Sequence, residues 1–258
     1  MKLRIWVPSA DRVRRWLMTI VLSLVALHLA GQSVKYFLGH GQLRGLVPIF
    51  NLEHESSVPT WYSACALGLA GILLGIIAAA KFAKIDRYRF HWAGLAGLFF
   101  FLSLDEIATF HELLIAPLRE FLHAGGLLYY TWVIPGAIFV AAVGLVFAKF
   151  LFDLPPAIRR RFLLAGAVFV GGAIGVEMLG GLQADWHGKE NIGYVLLVTL
   201  EEYMEMSGIV IFIHALLEYL MAEVREIRLS FGPAAPESVK GNPFQSGNEP
   251  KQGEELAA

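Results

Sequence analysis

Seven carboxylic acids sit inside stretches that otherwise read as lipid-soluble. They are Asp105, Glu106 and Glu112 in "FLSLDEIATFHELL", Glu177 in "GGAIGVEMLGG", and Glu201, Glu202 and Glu205 in "TLEEYMEMSG". Carboxyl groups crowded together away from water do not all ionise; they share protons or bind a cation. An all-oxygen donor set suits Mg, Ca, Mn or a proton, and a histidine shifts the choice toward Zn or Fe. His111 is the histidine beside the first group. The expected proton or metal ligands are therefore Asp105, Glu106, Glu112, Glu177, Glu201, Glu202, Glu205 and His111, with Asp105, Glu202 and Glu205 at the centre. The cofactor expected is a divalent metal cation or none, and no residue is assigned a catalytic role.

Helical spacing orders these groups. Glu201 and Glu205 are one turn apart, and Glu202 also neighbours Glu205. On an uninterrupted helix Glu112 lies only about 20° from Asp105, with Thr109 on the face between them. His111 then points well away from Asp105, and joins it only if the helix is distorted or another helix approaches from that side. His214 and His28 read as interhelical hydrogen-bond partners, Cys65 as helix packing, and Glu218 and Glu223 as surface charge. Glu112 and Glu177 are the acids most readily read as interfacial instead.

The elements that must hold these acids are membrane spans. The 258 residues are 56% hydrophobic and 17% charged, with a mean hydropathy of +0.57. That is too apolar for an ordinary soluble domain. Crossing a bilayer takes about 20 mostly apolar residues, and six segments qualify: 16–38, 61–80, 92–117, 127–152, 162–182 and 193–221. Lysine and arginine crowd alternate flanks, from Arg12, Arg14 and Arg15 to Lys81, Lys84, Arg87 and Arg89 and then Arg159, Arg160 and Arg161. Cytoplasmic loops carry this excess, so the expected fold is an all-α, six-transmembrane-helix bundle with both termini inside. Residues 1–15 form a basic cytoplasmic N-terminus, 16–228 the transmembrane domain, and 229–258, rich in Pro, Gly, Ser and Glu, a disordered cytoplasmic tail. At about 1.5 Å per residue, all seven acids fall roughly 7–18 Å below the outer edge. Gly71 with Gly75, and Gly171 with Gly175, have the four-residue spacing of close helix contacts.

The net charge of −1 argues against a nucleic-acid partner. The lone Cys65 excludes an internal disulfide and a cysteine zinc site. There is no phosphate loop, dinucleotide fingerprint, HExxH or serine elbow. Glu202 and Glu205 have the spacing of a di-iron Glu-x-x-His pair, with an acid in place of the histidine. Two loops on the acid side, 50–63 and 181–191, carry Glu53, His54, Glu55, Asp185, His187 and Lys189 and could line an access path.

"FNLEHESSVPTWYS", "FLSLDEIATFHE" and "EEYMEMSG" taken together resemble a group of uncharacterised bacterial polytopic membrane proteins, over roughly residues 45–215. The resemblance implies a bacterial inner membrane and brings no activity with it. The leading function expected is therefore cation or proton handling, as a transporter or sensor. A membrane-embedded metalloenzyme acting on a lipid or quinone, with His111 or His187 as ligand or base, is the alternative. An accessory or scaffold subunit, its acids binding a basic partner helix, is the third. The partners called for are the lipid bilayer and protons or metal cations, with a homo-oligomer left open.

Overall fold

The computed structural model describes residues 9–223, and these are helical with no strand among them. The expected basic N-terminus lies largely, and the tail entirely, outside the described residues. Six helices are long and apolar enough to cross a membrane. Five are single elements: α1 (Ala10–Leu38), α3 (Val58–Ala83), α4 (Arg89–Ala108), α6 (Val133–Asp153) and α9 (Ile192–Glu223). The sixth combines α7 (Pro156–Val170), a π-helical turn (Gly171–Val176) and α8 (Glu177–His187). Two short helices, α2 (Leu46–Ile49) and α5 (Ile115–Leu122), lie in connections. Large apolar side chains face outward from the bundle, with Leu145 80% and Phe121 79% exposed. Water would penalise such a surface, whereas lipid tails do not.

Local chemistry sets the helix ends. The Ser57 hydroxyl accepts the Thr60 N–H at 3.3 Å, and Pro59 occupies the first turn of α3. Both devices satisfy or remove donors that a helix start leaves unpaired. At the other end of α1, Gly39 takes φ 70°, the left-handed stop that glycine adopts without strain.

Helix α9 is the axis of the fold. It packs against α1, α3 and α7, and its Met206, Val210, Ile213 and Leu216 are fully buried. His214 on α9 faces Asp11 of α1 at 3.2 Å, the interhelical role expected of it. Helix α4 leans on α3, where Phe100 fills the space above Gly71. Helix α6 meets the core near its ends, through Val133 and Phe150, while its middle, residues 137–142, is exposed.

The third span differs from its expected course. The expected span runs to residue 117, but α4 ends at Ala108. Thr109 turns left-handed at φ 51°, ψ 39°, and a 3-10 turn (Phe110–Leu114) leads into α5. Thr109 therefore does not bridge Asp105 and Glu112 on a shared helix face.

The four-residue glycine spacing gives one close approach rather than two in both helices: in α3, Gly71 meets Phe100 while Gly75 faces open space. A Cβ on Gly172 would lie 2.9 Å from the Glu201 carbonyl oxygen, while Gly175 faces open space. A π turn carries more residues per turn than an α-helix, so a four-residue spacing no longer keeps one face. The close approach to α9 is made at Gly171 and Gly172, and on the α9 side at Gly208, whose Cβ would lie 2.8 Å from the Phe169 nitrogen.

Candidate carboxylate site

The break after α4 builds the first half of the site. The Asp105 carboxylate accepts the His111 backbone N–H at 3.1 Å and lies 2.7 Å from the His111 ring Nδ1. The Thr109 N–H closes on the Asp105 carbonyl. One aspartate thus ends the helix and folds the following turn back over itself. His111, expected to point away on an ideal helix, joins Asp105 because the helix is distorted.

The π turn builds the second half. It delivers Glu177 to the start of α8, where its Oε1 accepts the Trp132 indole N–H at 3.3 Å. The Trp132 ring lies 4.7 Å from the His111 ring, linking the two halves. Glu177 also stands beside Glu201. Two carboxyl groups this close resist ionising together.

Helix α9 supplies the remainder. Glu202 lies within electrostatic reach of Glu106 and Glu177, and Glu205 within reach of Glu202, Glu106 and Glu177. Five carboxyls from three spans are therefore linked by pairwise electrostatic influence, Glu201 through Glu177, Glu202 and Glu205, and Glu106 through Glu202 and Glu205. No lysine or arginine figures among the charges acting on Glu106, Glu201, Glu202 or Glu205; His111 is the one basic group, and it acts on Glu106.

Beyond the spans, Glu112 makes a hydrogen-bonding contact with Glu55, from the loop before α3. Burial, and then the Glu55 carboxyl, push Glu112 up to about 7. Burial by itself would lower His111, but the hydrogen bond and charge of Asp105, with Glu112 and Glu177 behind them, outweigh it and leave the imidazole above its usual value.

The expected residues separate into groups. Asp105, Glu106, His111 and Glu205, together with Trp132, line a cavity of about 640 Å³. Glu177, Glu201 and Glu202 are not among its lining residues, and Glu112, outside α4, is exposed near Glu55. Among the described residues, no three His, Cys, Asp or Glu side chains are grouped so as to hold a metal ion. The carboxyls meet in pairs instead. His187 is exposed at the end of α8, its backbone carbonyl 3.5 Å from the Asn191 amide.

Trp132 is the site residue that the sequence hid, because an aromatic at the start of a span reads as an interfacial anchor. Over the site the two loops meet. Lys189 lies 3.5 Å from Glu53 and sits above the rings of Tyr130 and Tyr194, whose hydroxyls are 2.8 Å apart.

Neither a curated protein nor a solved structure matches the chain. The break at Thr109, the π turn and the acid stretch of α9 all fall within residues 13–220, the part matched by the family described as Domain of unknown function (DUF8692). The chain belongs to that family.

Proposed function

We propose that this is a bacterial inner-membrane protein, with six spans and both termini cytoplasmic, whose carboxyl cluster takes up protons or a metal cation from the outer face. It would act as a transporter or a sensor. One observation carries the reading: Glu106, Glu201, Glu202 and Glu205 act on one another or on Glu177, and no lysine or arginine figures among the charges acting on those four. An ionised acid at mid-span costs about 2.5–3.5 kcal/mol. Five bare carboxylates would cost at most on the order of 12–18 kcal/mol, less for Glu106, which stands two residues before the end of α4; the whole stability of a typical domain is roughly 5–15 kcal/mol. Protons or a bound cation offset that cost. The pairwise contacts favour protons, with Glu55 and Glu112 at the aqueous rim as the first acceptors.

The test is uptake by proteoliposomes holding the full chain. Wild type should change internal pH, or accumulate manganese, under an imposed gradient or show saturable proton binding in detergent. Asp105→Asn and Glu205→Gln should abolish this while the protein stays folded. Folded variants that bind or move protons and cations normally would refute the reading.

A second reading, an enzyme acting on a membrane lipid, is favoured by one feature: the cavity reaching Asp105 and His111 is otherwise apolar.

A further inference from the structure

The cavity lies between α4, α6, α7 and α9, where α6 stands off from the bundle. Its body is hydrocarbon, with Leu95, Phe99, Val143, Phe147 and Phe162 in its walls. Gly144 and Gly166 also line it, and a Cβ on either would meet nothing within 4 Å. Leu95 and Glu106 are about 16 Å apart along α4, at about 1.5 Å per residue. That is close to half of a hydrocarbon core about 30 Å thick. A volume of about 640 Å³ suits one chain-bearing small molecule.

The polar end sets the head group. Glu106 and Glu205 line the cavity, and neither has a hydrogen-bond partner among the described residues. Of the donors beside them, His111 Nδ1 is engaged with Asp105 and Trp132 Nε1 with Glu177, which leaves His111 Nε2. No lysine or arginine lines the cavity. Glu106 and Glu205 accept hydrogen bonds whether or not they carry a proton, so a head that donates is held in either state, whereas a phosphate or carboxylate head is held only by protonated acids and meets like charge otherwise.

We infer that the cavity binds a single-chain lipid whose head donates hydrogen bonds, a long-chain alcohol or amine, with the head against Glu106 and Glu205 and the tail between α4 and α6. This rests on the convergence of acids argued above, but not on any uptake of a cation. Such a ligand satisfies both acceptors and fills the apolar body of the cavity. Its head lies at the level of the acids and its tail points toward the bilayer centre, the orientation of a lipid in the leaflet nearer the acids.

The test is native mass spectrometry of the full chain, purified in detergent and titrated with 1-hexadecanol, hexadecylamine or hexadecanoate. The alcohol or the amine should bind at least about tenfold more tightly than the carboxylate, a difference of about 1.4 kcal/mol. Gly144→Leu and Gly166→Leu project into the empty space and should each cut that binding at least about tenfold without lowering the melting temperature. The double variant Glu106→Gln, Glu205→Gln keeps acceptors but loses the charge. Retained binding in it marks the alcohol as the ligand, and lost binding marks the amine. Hexadecanoate binding as tightly as the other two, or wild-type binding in both leucine variants, overturns the inference. Lipid binding without proton or cation uptake would sink the proposed function and leave this inference standing; uptake without lipid binding would do the reverse.

Discussion

His111 Nδ1 lies 2.7 Å from Asp105 Oδ2, across a helix end rather than along a helix face. The contact exists because Thr109 leaves the helical conformation and the chain doubles back. It couples a histidine outside the spans to an aspartate inside one.

That coupling makes stability depend on pH. The folded His111 titrates above its usual 6.5: burial opposes the charge, but Asp105 with Glu112 and Glu177 more than compensates. A raised histidine contributes stability that is fully present below the unfolded value and is lost as pH rises through the folded one. Melting temperature in detergent should therefore fall as pH is raised from about 6 toward 8, and the slope should flatten in His111→Gln.

Glu112 adds to the same trend. Burial and the Glu55 carboxyl raise it from the usual 4.5 to about 7. The folded state then holds a proton that the unfolded chain releases, so its contribution is complete below 4.5 and lost as pH rises through about 7. Glu112→Gln and Glu55→Gln should each remove part of the pH dependence while leaving the melting temperature near pH 5 almost unchanged. A slope unaffected by both would show that the rim pair does not form.

Thr109 holds a left-handed conformation at φ 51°, which costs an L-residue about 1–2 kcal/mol. Glycine removes that strain and returns some of it as chain entropy, about 0.5–1 kcal/mol. Thr109→Gly should therefore leave the protein equally stable or up to about 1 kcal/mol more stable. If α4 instead continued as a helix, the same change would destabilise it by roughly that amount. Thermal unfolding distinguishes the two.

The π turn makes a contrasting pair. A Cβ at Gly172 would meet the Glu201 carbonyl oxygen at 2.9 Å, whereas Gly175 has nothing within 4 Å. Gly172→Ala should cost about 1–3 kcal/mol by forcing α9 away, and Gly175→Ala should be neutral or slightly stabilising. A helix without the π turn would show a different ranking.

The six spans could be read from the sequence because each is a long apolar run, and hydropathy needs no knowledge of neighbours. The acids of α4 and α9 stand out in the sequence as charges within apolar runs, but a depth counted from Pro117 does not hold for Asp105 and Glu106, because α4 ends at Ala108. The break at Thr109 left no mark, since no glycine or proline stands there and the apolar pattern continues to Pro117. The π turn was hidden because Gly171 and Gly175 keep an ordinary helical spacing on paper. The cavity was out of reach altogether, because it arises from α6 standing off, a matter of tertiary packing.

The central claim is that these acids share protons inside the bundle. Infrared spectroscopy of the full chain in lipid at neutral pH tests it most directly. Protonated carboxyl absorption should be present in wild type, should diminish in Glu201→Gln and again in Glu205→Gln, and should shift when water is replaced by D2O. A spectrum with only ionised carboxylates at neutral pH, unchanged by either substitution, would contradict the account.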